Sequence, residues 1–222
     1  MVHLHAHSYF SFLNGASAPE ELVDIASQLG ISAMALTDRD TVAGLVPFHR
    51  AAERVGIRPI SGAEVTMEDG TVLTVLAENA KGYAELCTLL TKAHLSHPRG
   101  EPRTLYQDLV EHREGLIVLS GDRRGRIPSL LLQKQNQKAR EMAEWLRDRL
   151  GKDRFFLKSK TPSPPVANIL QISYVNWPIL STSASPPLTI FITQARINFQ
   201  FMMCSPVSET KRTWSLPTPS AR

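Results

Sequence analysis

A chain of 222 residues with 42% hydrophobic and 21% charged content can bury one ordinary core, which predicts one domain with room for an appendage. The formal charge of +4 and a pI near 9.2 suggest a nucleic-acid surface. However, residues 1–158 are formally neutral, and the excess lies in 159–222, where five basic residues meet the single acid Glu209. No apolar run approaches a membrane span, the start MVHLHAH is no signal peptide, and Cys87 and Cys204 make no framework, so a soluble, cytoplasmic, reducing setting is expected.

In chain order, Val2–Ala6 is a short β-type run. Ser17-Ala18-Pro19-Glu20 has capping-box spacing with proline in the first turn, opening an amphipathic helix that Gly30 ends. Ile31–Leu36 reads as the next strand, and a second helix runs from about Val42 to Val55 and stops at Gly56. Arg58–Val65 is extended, and Glu68-Asp69-Gly70 is a turn into the strand Thr71–Ala77. Then come helices over Tyr83–Leu95 and Leu105–His112, a strand over Leu116–Ser120, and a helix over Gln135–Leu150 closed by Gly151. Strand and helix alternate throughout, which predicts an α/β architecture with a largely parallel sheet, open or closed as a barrel.

Composition breaks near Leu157: all 12 glycines and all 7 histidines lie before it, and nine of the 15 prolines lie after it. Residues 158–222 are rich in Ser, Thr and Pro, with short apolar pieces but no helix stop or hairpin glycine. They read as an irregular tail, either disordered or translated from a shifted frame.

In α/β folds the functional groups gather at the C-terminal ends of the strands. His3, His5 and His7 recur at every second position of the first strand, so alternation points all three imidazoles to one face. Imidazoles beside carboxylates suit zinc, manganese or iron and metal-assisted hydrolysis. Later strand ends release Thr37-Asp38-Arg39-Asp40, then Ser61-Gly62-Ala63-Glu64, then Ser120-Gly121-Asp122. His94 and His97 close a helix, where a surface position and a ligand position both fit. Convergence of these candidates on one rim favours a site.

The segments VHLHAHSYFSFLNGAS, ALTDRDTVAGLVPFHRAAERVGIRPISGAEV, GYAELCTLLTKAHLSHPRGEP and GLIVLSGDRRGRIPSLL resemble the polymerase-and-histidinol-phosphatase (PHP) domain that opens bacterial DNA polymerase III alpha subunits. The resemblance covers residues 1–157 in unbroken order. It implies a distorted (β/α) barrel with a small metal cluster, a polymerase core downstream, and a role in DNA replication. His5 and His7 match the first pair of ligands, Glu64 the bridging acid, and His94 a further ligand. Three positions depart from the family: Asn14 replaces an Asp, Arg39 the His of a T-D-H string, and Asp122 a Cys. The closing Asp-x-His motif is missing, with no histidine after His112, so the module is expected to be cut off within itself.

A guanidinium has no lone pair for a metal, so Arg39 is expected to pair with Glu64, Asp38 or Asp122 and tie the rim together. Losing ligands weakens a multinuclear site. A structural module is expected, with zinc or manganese weakly held or absent. The resemblance implies the polymerase core, the proofreading subunit and DNA as partners, and none of the polymerase's catalytic carboxylates within this chain. A self-standing metal-dependent phosphoesterase or 3′–5′ exonuclease is one alternative, and a non-catalytic interaction scaffold is another.

Overall fold

The computed structural model describes residues 2–160 and 172–175. One seven-stranded sheet runs in simple sequence order. β1 (Val2–Ala6), β2 (Ala33–Leu36) and β3 (Arg58–Thr66) pair in parallel. The chain then reverses at the Glu68-Asp69-Gly70 turn into β4 (Val72–Ala77), antiparallel to β3. β5 (Leu116–Leu119) is antiparallel to β4, β6 (Phe155–Lys160) is parallel to β5, and β7 (Ile172–Val175) is antiparallel to β6. The sheet is therefore mixed rather than largely parallel.

The helices are α1 (Pro19–Gln28), α2 (Leu45–Val55), α3 (Ala80–Leu95), α4 (Tyr106–Glu111), α5 (Arg126–Leu132) and α6 (Asn136–Leu150). α1 starts one residue later than its capping pattern predicts. Ala18 is the N-cap and offers no side-chain acceptor, so only the returning half of the box forms, from the Ala18 N–H to Glu21 Oε2 at 3.0 Å. The sequence pattern did not reveal α5, β6 or β7. The expected boundary at residue 157 falls inside β6, and β7 lies within the segment read as irregular; the rest of that tail is outside the described residues.

Two of the three hydrophobic clusters lie between helices and sheet. In one, α1 and α2 cover Ala6, Met34 and Leu36. In the other, α3 to α6 cover Ala63, Val65, Leu73, Val75, Leu116 and Val118. The third cluster contains strand residues alone: Leu4, Ala33, Ala35, Ile60, Leu76, Ile117 and Leu119, with Phe156 packed against them. A flat sheet offers no such enclosure. β1 and β6 are five strand intervals apart, roughly 24 Å if flat, yet the Lys158 ammonium touches His5 Nδ1. The sheet is thus curled on itself, with helices outside, as an α/β, incomplete barrel of the PHP type.

His49 of α2 packs over this wall, its Nε2 2.9 Å from Ser61 Oγ on β3. Burial lowers its pKa, against an opposing pull from Glu53. The folded chain thus carries His49 neutral while the unfolded chain takes up a proton near pH 6.5. Its contribution is complete above that pH and is lost as pH falls through it toward the folded value. Melting temperatures of wild type and His49→Gln, followed from about pH 7.5 to about pH 5.5, should show a shallower acid-side fall in the variant. Parallel curves would reject this assignment.

Candidate metal centre

On β3, Ile60 belongs to the enclosed cluster, while Ala63 and Val65 pack outward under the helices. Alternation puts Glu64 on the concave face with Ile60, near the C-terminal end of the strand. Its residue is 0% exposed. On β1 the alternation breaks. Leu4 lies in the enclosed cluster but Ala6 in an outer one, and the pairing with β2 shifts register between His3 and Ala6. The strict-alternation expectation for three histidines therefore fails at this bulge. The structure brings His5 and His7 together, with ring centroids 4.7 Å apart, and leaves His3 out of the cluster.

His5 Nε2 lies 3.3 Å and His7 Nε2 3.7 Å from Glu64 Oε2. One ligand atom from each of the three residues falls within 4.8 Å of the others, the one such group among the described residues. His5 Nε2 and Glu64 Oε2 are buried and lack hydrogen-bond geometry to any partner. Buried polar atoms left this way in a converging set fit one metal ion between them. Burial lowers the His5 pKa to about 4 despite the raising effect of Glu64, so His5 is neutral near pH 7. Burial opposes ionisation of Glu64, but the imidazoles facing it outweigh this and lower its pKa, keeping it anionic.

The loop after β1 orients His7 through two serines. Ser11 Oγ donates to Asp38 Oδ1 at 2.6 Å and accepts the Arg39 N–H at 2.9 Å. A hydroxyl has one proton and two lone pairs, so its contact with His7 Nδ1 at 2.9 Å makes Nδ1 the donor. His7 Nε2 therefore presents its lone pair toward Glu64, the tautomer a metal needs. Asp38 also accepts the Ser8 N–H at 2.7 Å and Ser8 Oγ at 2.6 Å. It anchors the loop and lies outside the ligand cluster.

Other expected residues sit elsewhere. His94, on the last turn of α3, has Nε2 bonded to the Asp40 carbonyl at 2.7 Å and stays outside the cluster. Arg39 does not reach Glu64, Asp38 or Asp122. It follows β2, its backbone bridges that of Glu64 in parallel, and its Nε bonds Thr66 Oγ1 at 3.2 Å and lies 3.7 Å from Asp40 Oδ2. Asp122 accepts the Arg124 N–H at 2.9 Å, and Asn14 Oδ1 accepts Arg124 Nη1 at 3.2 Å.

The guanidinium on Glu64 is Arg124, whose Nη2 donates to Oε1 at 2.8 Å. Sequence reasoning missed Arg124, along with Lys158, Ser8 and Ser11, and placed Asp40 only within a strand-end string. Asp40 holds Thr66 through its N–H at 2.7 Å and its hydroxyl at 2.6 Å. Burial raises the Asp40 carboxyl pKa, against the hydrogen bonds from Thr66. Ser8 and Ser11 had a signal, since two hydroxyls spaced by three in a loop beside a strand-end Asp suit a carboxylate anchor.

Residues 3–161 match the PHP domain model, and the chain belongs to that family. It is 44% identical over 164 residues to an error-prone DNA polymerase of Symbiobacterium thermophilum, covering 65% of this chain and 15% of that protein. It is 38% identical over 164 residues to the DNA polymerase III subunit alpha of Vibrio cholerae, covering 71% and 14%. The subunit alpha of Treponema pallidum is 37% identical over 171 residues, covering 71% and 15%. The chain is thus homologous to the N-terminal region of these polymerases and spans about 15% of their length. None of its described helices is long and apolar enough to cross a membrane.

Proposed function

We propose that the matched segment, residues 3–161, is the N-terminal PHP module of a bacterial DNA polymerase III alpha-type replicative or error-prone subunit. The module's role is structural: it supports the polymerase core and the proofreading partner near DNA, in the cytoplasm. At most one zinc or manganese ion is held, weakly, by His5, His7 and Glu64. A bound ion there would supply Lewis acidity to a phosphate oxygen or a water. The observation that carries this reading is the composition of the rim: three ligands converge, the fourth candidate His94 is turned to a carbonyl, and Arg124 lies on the bridging acid. Two-metal hydrolysis needs both ions held, and the described residues bring together one such ligand group.

The self-standing phosphoesterase or 3′–5′ exonuclease reading draws on a different observation, the His7 tautomer already set for ligation. Primer extension and hydrolysis of a generic phosphodiester, with added zinc or manganese, separate the two readings. Neither activity should rise above background in the purified chain. Strong hydrolysis that disappears in His5→Ala would instead establish the phosphoesterase.

A further inference from the structure

We infer that Arg124 and Lys158 are built-in counter-cations that compete with a divalent ion at the His5–His7–Glu64 cluster and weaken its binding. The inference rests on the structural-module reading above and names what holds the site in that state.

Arg124 lies between β5 and α5, in the loop that leaves the same rim as β3. Its Nη2 reaches Glu64 Oε1 at 2.8 Å, its Nη1 reaches Asn14 Oδ1 at 3.2 Å, and its Nε lies 3.8 Å from Asp122 Oδ1. Two separate segments, and Asp122 of its own loop, thus fix one fork-shaped cation against the buried acid. A divalent ion at Glu64 would face this permanent charge within a few ångströms, in a partly buried pocket where repulsion is weakly screened.

Lys158 acts on the opposite side. It projects from β6, and its backbone N–H is held by Ser120 Oγ at 2.9 Å. Its ammonium, which has donors and no acceptor, meets His5 Nδ1. Nδ1 must therefore supply the lone pair, and a neutral imidazole then carries its proton on Nε2. That is the nitrogen 3.3 Å from Glu64 Oε2, where a metal would need a lone pair. His5 and His7 consequently hold opposite tautomers: His7 Nε2 is available for ligation and His5 Nε2 is blocked. One cation neutralises the acid and the other, by donating to Nδ1, selects the tautomer that leaves the proton on the ligand face of the imidazole.

Loss of a merely structural contact would leave metal affinity unchanged or lower it. Loss of a counter-cation should raise it, which makes the sign diagnostic. The complete 222-residue chain, stripped of metal, is titrated with zinc and with manganese by calorimetry as wild type, Arg124→Gln, Arg124→Lys and Lys158→Met, with circular dichroism confirming the fold. Arg124→Gln and Lys158→Met should each tighten binding at least about tenfold, while Arg124→Lys, which keeps the charge, should stay near wild type. Zinc should raise the melting temperature of the two neutral variants more than that of wild type.

If Arg124→Gln fails to fold, Lys158→Met and the ring-nitrogen spectra of wild type decide the matter. In ¹⁵N-resolved spectra His5 should carry its proton on Nε2 and His7 on Nδ1. Unchanged affinity in the folded neutral variants, or a His5 proton on Nδ1, overturns the inference. Tighter metal without hydrolysis supports both readings, and tighter metal with strong hydrolysis keeps this inference while overturning the structural role. Unchanged affinity without hydrolysis removes this inference alone.

Discussion

Replacing Asp38 with Ala should destabilise the chain by roughly 3–5 kcal/mol, enough to lower its melting temperature by about 10 °C or more. The residue is 1% exposed and lies at the end of β2. Its carboxylate accepts the Ser8 N–H at 2.7 Å and the Ser8 and Ser11 hydroxyls at 2.6 Å each. Hydrogen bonds to a charged acceptor contribute more than neutral ones, and removing the acceptor leaves three donors short of a partner in a buried site. Asp38→Asn keeps the shape but turns an amide NH₂ toward at least one of those donors, so a smaller loss of about 1–3 kcal/mol is expected. The effect should extend to His7, because Ser11 bridges it to Asp38. Urea denaturation gives the stability change, and the ring-nitrogen signal of His7 reports whether Nδ1 keeps its proton. An Asp38→Ala chain as stable as wild type would show that the carboxylate does not anchor the loop.

How far the sequence discloses this site depends on the range of the interaction. His5 and His7 stand out because two lone-pair donors at alternate positions of a strand end have few uninteresting explanations. Glu64 is legible from its place at a strand end, where it converges with the other candidates, and from the resemblance, which matches it to a bridging acid. Apart from the resemblance, these inferences need only the local period and the rule that strand ends carry function. Arg124 offers no such signal. It sits beside Arg123 in a short loop just before Arg126 of α5, and only the curl of the sheet determines which guanidinium turns toward β3. Lys158 is less legible still, since β6 is short, abuts the compositional break, and meets β1 only because the barrel closes. Arg39 misled for a related reason. Its place in the Thr37-Asp38-Arg39-Asp40 string suggested the metal rim, but the parallel bridge to Glu64 pairs the two backbones and sends the side chain to Thr66 and Asp40.

The fold shows the same division. Apart from α5, β6 and β7, element positions followed from periodicity and stop signals to within a few residues, because those are properties of the local chain. Strand direction did not. The Glu68-Asp69-Gly70 turn marks a hairpin and so an antiparallel pair, yet alternation of strand and helix elsewhere suggested parallel crossovers. Between β4 and β5 the chain passes through α3 and α4 and still returns antiparallel. Nothing in the local pattern distinguishes that return from a crossover. The break in alternation at His5 is equally silent, being set by register with β2.

Gly82→Ala should be among the most damaging single-methyl changes available, although alanine is the better helix former by about 1 kcal/mol. Gly82 is in the first turn of α3, where its N–H is capped by Asn79 Oδ1 at 2.9 Å. A Cβ there would lie 1.8 Å from the Gly115 carbonyl oxygen and 2.5 Å from its carbon. That carbonyl already accepts the Glu78 N–H at 2.9 Å and immediately precedes β5. A Cβ built on Gly115, whose φ is +70°, would itself lie 2.6 Å from Asn79 Oδ1 and 2.7 Å from the Gly82 nitrogen, so the two backbones meet closely from either side. The obstacle is backbone on both sides, and relief requires α3 and β5 to separate. That movement would lift Leu86, Leu89 and Leu90 from the largest cluster and shift His94 at the far end of the helix, whose bond to Asp40 adjoins the Glu64 backbone. Overpacking against flexible side chains costs about 1–3 kcal/mol, and against fixed backbone the loss should exceed the upper end of that range, outweighing the helix gain. The measurement is a thermal melt of Gly82→Ala beside Ala80→Gly, a change at the same end of α3 that tests helix propensity without the clash. A Gly82→Ala chain melting at or above wild type would mean that α3 and the β5 entry are not in contact as described.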